Sequence, residues 1–192
     1  MVVFVKSDKV AVLLHGPPCA GKTQVKLAIS ALAEPGVVRH LSLDEGWGVG
    51  QQRHSGGSQR YSDIVSTTES VLVIELGCGE PADLSFDGAT RAAAEWVGIL
   101  RKCGRTLHSF LLVVNPDDVL ERLRKRYAAD PDALFCIWQD FGLYGLYQQG
   151  DPIATFPPST DILEQKISTS GRSINDVALE IMGKAGIRHH TA

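Results

Sequence analysis

The chain has 192 residues, 44% of them hydrophobic and 21% charged, with a formal net charge of −3. That length is enough for one α/β domain with a full core. The slightly negative charge excludes a protein that holds nucleic acid by bulk electrostatic attraction, while leaving room for a local basic groove. No apolar run approaches the ~18 residues of a membrane span, and the amino terminus has no basic start followed by a long apolar stretch. Cys19, Cys78, Cys103 and Cys136 form no CxxC pair and no His/Cys ligand spacing. A cytoplasmic protein with reduced thiols and no membrane partner is expected.

Val10 to Leu14 is short and wholly apolar, as a parallel strand buried on both faces must be. Lys22 to Ala33 follows with Val25, Ala28, Ile29 and Leu32 on one helical stripe, ended by Pro35 and Gly36. Val37 to Leu43 is the second expected strand, and residues 46–58 form a glycine-rich loop without apolar periodicity. A short helix is expected over residues 60–66 and a third strand from Val71 to Leu76, with Glu75 near its carboxyl end. A helix over 89–102 and a strand from Leu107 to Val114 come next. Asn115-Pro116-Asp117 then starts a basic helix that carries Val119, Leu120 and Leu123 on its apolar face. Residues 128–160 give no assignable pattern, and about 116–160 is expected to hold a lid and a less regular segment. Leu163 to Thr169 and Ile174 to Lys184 read as the last strand and the closing helix.

Strands alternating with helices predict a three-layer α/β/α sandwich around a parallel sheet, with residues 1–192 as a single domain. Right-handed crossovers gather the loops that follow the strands at one edge. Segments 15–23, 44–60, 75–91 and 115–126 would meet there, and every candidate chemical group falls in one of them.

The densest signal is HGPPCAGKTQ, residues 15–24, which lies between the first strand and the first helix. Gly16 to Thr23 matches GxxxxGK[ST] without a mismatch. The spacing has a mechanism. Glycines permit a loop whose backbone N–H groups point inward, and the helix that follows offers its positive end to phosphate. Lys22 reaches the outer phosphates and the Thr23 hydroxyl ligates magnesium. The expected nucleotide-binding residues are Gly16, Pro17, Pro18, Cys19, Ala20, Gly21, Lys22, Thr23 and Gln24, with ATP and Mg2+ as cofactors.

On these residues the chain resembles the P-loop nucleoside triphosphate hydrolase superfamily, and within it the branch of small P-loop kinases. GTP-binding switches carry NKxD after a strand and DxxG after the third strand. Here the corresponding residues are Asn115-Pro116-Asp117-Asp118 and ELGCG, which disfavours a switch.

The resemblance to small kinases implies roles for further residues. Asp44, directly after the second strand, matches the acid that activates the acceptor hydroxyl, with Glu45 beside it as the lesser choice. Glu75, a charge inside an apolar run, has two open readings: an acid linked to magnesium, or a partner of a nearby arginine. ERLRKRY resembles the lid, with Arg122 and Arg126 one turn apart as the pair that closes over the phosphates. FDGATR, residues 86–91, is similar to the DGFPR turn of adenylate kinase-like enzymes and suggests Arg91 as a phosphate ligand. Trp47, Arg53 and Arg60 fall in the loop where family members bind the acceptor; Trp47 could stack on a base or simply pack the loop. KISTSGRSINDVALEIM resembles the tail of small kinases, whose backbone, here around Ser170 and Gly171, lies against the adenine.

The expected activity is transfer of the γ-phosphate of ATP to a nucleotide, nucleoside or nucleic-acid end. A non-nucleotide metabolite hydroxyl is the alternative acceptor, and a nucleotide-binding regulatory protein is the alternative in a different class.

Overall fold

The computed structural model describes residues 9–16, 19–42, 64–75, 97–129 and 163–190. These form strands β1 (Val10–His15), β2 (Val38–Ser42), β3 (Val71–Glu75), β4 (Thr106–Val113) and β5 (Glu164–Ser168). The helices are α1 (Lys22–Leu32), α2 (Pro116–Arg126) and α3 (Ile174–Ala185), with shorter helical stretches at 64–66 and 97–102. The expected elements within the described residues are all present, most with ends shifted by one residue. Of the helices expected over 60–66 and 89–102, only the carboxyl-terminal parts are described.

All strand pairs are parallel, in the order β2-β3-β1-β4-β5. The sheet is a middle layer because β1 alternates between two cores. Val12 and Leu14 pack with Val25 and Ile29 of α1, Val119 and Leu123 of α2, and Ile181 of α3. Ala11 and Leu13 face the opposite way, toward Ile64, Val97 and Leu100. Burying a side chain of this size contributes about 1.5–3 kcal/mol. Helix caps contribute only about 1 kcal/mol each, so the apolar stripes rather than the helix ends hold α1 and α2 in place. On α2 the stripe narrows to Val119 and Leu123; Leu120 is only partly buried.

At the amino-terminal edge a single side chain ties the strand starts together. Arg105 is 5% exposed, and its guanidinium donates to the carbonyls of Val10, Thr67, Glu69 and Ser70 at 3.0–3.3 Å. Burial lowers its pKa from the ordinary value, while Cys103 and Glu69 act the other way. The carbonyl dipoles favour the charged form that water would otherwise stabilise.

Replacing Arg105 with Met removes its hydrogen bonds to four carbonyls at the edge where β1, β3 and β4 begin. Urea unfolding should show a loss of about 2–4 kcal/mol.

Candidate functional site

β1 ends at His15, and the chain turns at once into the loop that precedes α1. Two conformational constraints shape this turn. Gly16 has φ +141°, and a Cβ built there would lie 2.5 Å from the carbonyl oxygen of Leu112 on β4. Only glycine lets the backbone pass that close. Cys19 sits at φ +62°, the single non-glycine with positive φ among the described residues, and Gly21 follows at φ +95°. Residues of alternating hand turn successive N–H groups to one side, making a concavity for an anion.

The start of α1 has the character of an anion site. Gly21 is its N-cap, no side chain caps it, and its first turn holds no acid. α3 differs in all three respects: Ser173 accepts from the Asp176 N–H at 3.1 Å, and that aspartate lies in the first turn. Negative charge at a helix start is favourable, so leaving α1 bare forgoes stability that a bound phosphate would restore.

Lys22, 7% exposed, reaches back so that its Nζ donates to the Gly16 carbonyl at 2.8 Å. The ammonium therefore lies across the mouth of the loop. One residue on, the exposed Thr23 hydroxyl donates to Glu75 Oε1 at 2.7 Å. With its only proton given to a carboxylate, the Thr23 oxygen keeps its lone pairs for a cation. These residues fit a magnesium ion held by Thr23, with Glu75 behind it.

The sequence leaves an arginine open as the partner of Glu75. Among the described residues its ionic partner is a lysine: Lys26 Nζ lies 2.9 Å from Oε2, with side-chain exposures of 2% and 7%. Removing one partner of such a buried pair costs about 3–5 kcal/mol, because the other charge is left stranded. Sequence reasoning missed Lys26. The signal was present, since it lies one helical turn beyond Thr23 and interrupts an apolar helix.

The basic helix contributes differently at its two arginines. Arg122 Nη1 donates to the Cys19 carbonyl and to Thr169 Oγ1, both at 3.1 Å, and Nη2 donates to the Thr169 carbonyl at 3.0 Å. It braces the phosphate loop against the segment after β5. Arg126 is exposed, with its guanidinium 5.5 Å from the centre of the Tyr127 ring. The segment after β5 is also tied to the start of α2, where the Asn115 N–H donates to Ser170 Oγ at 2.8 Å.

Segments 15–23, 75–91 and 115–126 thus meet at the carboxyl edge of the sheet through their described residues, as expected, and 169–170 joins them. Pro17, Pro18, Asp44, Glu45, Trp47, Arg53, Arg60 and Arg91 lie outside the described residues, as does nearly all of 128–160. A second polar cluster was not foreseen. His15 is 1% exposed, and its Nε2 lies 3.0 Å from both Ser109 Oγ and Glu164 Oε1, joining β1, β4 and β5 just before the loop.

No family model matches the chain, and neither does any curated protein sequence. Solved structures do match. The tunicamycin resistance protein of Deinococcus radiodurans is 14% identical with a TM-score of 0.55, over 96% of this chain and 99% of that one. The YorR protein of Bacillus subtilis, solved in complex with phosphorylated GDP, is 14% identical with a TM-score of 0.53, over 94% and 100%. A sugar kinase from Janibacter sp. HTCC2649 is 11% identical with a TM-score of 0.53, over 93% and 95%. The chain has the small P-loop kinase fold. At these identities the likeness is one of architecture, and the small P-loop kinase fold serves different substrates.

Replacing Gly16 with Ala forces either the loop or β4 to move. The variant should lose about 2–4 kcal/mol in equilibrium unfolding. A fluorescent-nucleotide titration should show at least roughly tenfold weaker binding, since misplaced loop amides forfeit their phosphate bonds.

Proposed function

We propose that the chain is an ATP-dependent phosphotransferase that moves the γ-phosphate to a nucleotide, nucleoside or nucleic-acid acceptor. The observation that carries this reading is the uncapped start of α1, with Lys22 folded against Gly16 and Thr23 bonded to Glu75. A simple turn needs none of these. A site for a nucleotide's phosphates needs all of them.

In this reading the acceptor oxygen forms a bond to the γ-phosphorus while the bond from phosphorus to the β–γ bridging oxygen breaks. ADP leaves with that electron pair. Asp44 takes the acceptor's proton, and the Lys22 ammonium balances charge that develops between the β and γ groups. The loop amides and the α1 start hold the donor still, which is most of what phosphoryl transfer asks of a protein. Thr23, with Glu75 behind it, would hold magnesium, which when bound would supply charge neutralisation on the phosphate oxygens. Among the described residues no three His, Cys, Asp or Glu side chains come together as a metal cluster.

Arg122 holds the loop's outer wall, and to Arg126, which is exposed, we assign the contact with the phosphate in flight. Trp47, Arg53, Arg60 and Arg91 are assigned to the acceptor side. Among the described residues no helix is long and apolar enough to cross a membrane; the cytoplasm is the proposed location.

A transfer screen with γ-labelled ATP against nucleosides, nucleotides, DNA ends and sugars should label one of the first three classes. Slow hydrolysis with no labelled acceptor would instead favour a nucleotide-binding regulatory protein. Replacing Asp44 with Asn should lower turnover by roughly 10²–10⁴ while ATP affinity holds. Replacing Lys22 with Ala should weaken both.

A further inference from the structure

The ion pair between Glu75 and Lys26 goes beyond what a phosphate loop requires. Both groups are buried, and they sit directly behind Thr23, where a cation would bind. We propose that Lys26 is the resident counter-ion of Glu75. It keeps the acid neutralised while the site is empty, so that a divalent cation enters only together with a nucleotide. This rests on the donor-site reading above and adds a rule for the order of assembly.

The two carboxylate oxygens are divided between different tasks. Oε1 accepts the Thr23 proton at 2.7 Å, and Oε2 meets Lys26 at 2.9 Å. Without Lys26, a buried carboxylate beside a hydroxyl oxygen would be a ready place for a hard dication. With Lys26 in place, the approaching ion meets a carboxylate already balanced. It also meets two further positive features within the same loop, the Lys22 ammonium and the start of α1. Arriving phosphates reverse that balance, since they bring several negative charges to the same place. Lys26 is 2% exposed, so it cannot swing into water to make way for a free ion. Its charge is a fixed part of the site, unlike that of an exposed lysine, which the solvent would screen.

Free Mn2+, followed by electron paramagnetic resonance in the absence of nucleotide, tests the proposal. The wild-type protein and Lys26→Arg should bind it weakly. Lys26→Met should bind roughly tenfold more tightly or better, because a cationic neighbour is gone while the carboxylate remains. Adding Glu75→Gln to Lys26→Met should remove the gain. A purely structural lysine predicts no such pattern. Mn2+ should also raise the melting temperature of Lys26→Met more than that of the wild type. Wild-type Mn2+ affinity in Lys26→Met, together with an unmoved melting temperature, would overturn the proposal. If Lys26→Met fails to fold, Lys26→Gln, which keeps a donor for Glu75 without the charge, answers the same question. If neither folds alone, recovery of folded protein in Mn2+ supports the proposal and failure to recover overturns it. A separate titration of the wild type with ATP and Mg2+ together keeps the two ideas apart. No ATP binding would sink the donor-site reading and leave the Mn2+ result standing.

Discussion

A helix that starts without a cap leaves backbone N–H groups in search of an acceptor, and α1 starts that way. Much of the site follows from keeping that end open. The chain must leave β1 and turn back on itself without filling the space ahead of the helix. Gly16 makes this possible by passing beneath the Leu112 carbonyl, and Cys19 and Gly21 complete the turn with positive φ. Left-handed backbone at a non-glycine residue costs about 1–3 kcal/mol and persists only where its surroundings hold it. At Cys19 the holder is Arg122, which fixes the residue's carbonyl from outside the loop. The open helix end, the strained turn and the arginine brace form one arrangement.

Charge is managed in layers around that opening. Lys22 faces the loop itself, Thr23 links the loop to Glu75, and Lys26 balances Glu75 from inside. A lone buried carboxylate would either take up a proton or destabilise the fold. The lysine sets a positive charge beside the acid, whose other oxygen accepts from the Thr23 hydroxyl. At the far edge of the sheet Arg105 solves a related problem with carbonyls instead of a carboxylate. Lys26 and Arg105 therefore differ in kind: one stands behind the proposed chemistry, and the other closes the frame.

The frame was legible in the sequence because its signals are local. VAVLL reads as a strand buried on both faces, and GxxxxGK[ST] between that strand and a helix has a mechanism tied to the spacing. Lys26 as a partner of Glu75 was not legible, since which cation faces an acid depends on how α1 packs across β3 and not on nearness in sequence. Arg122 and Arg126 look equivalent on a helical wheel. Only tertiary packing separates them, by bringing Thr169 and Cys19 within reach of the first. His15 gave no motif at all, because Ser109 and Glu164 come from strands β4 and β5. Local periodicity reveals elements, whereas polar contacts across the sheet depend on register.

The strand order also bears on how the molecule is assembled. β1 is the centre of the sheet, pairing on one side with β3 and on the other with β4, so that Val10 lies opposite both Val71 and Thr106. Pairings between such distant parts of a chain form late, since a long loop must close before any contact rewards it. The turn at Gly16 is seated beneath Leu112, a residue of β4. Its final shape must therefore wait until β4 has docked, and β4 emerges from the ribosome long after HGPPCAGKTQ. The stretch most readable on paper thus owes its final shape to a strand far along the chain.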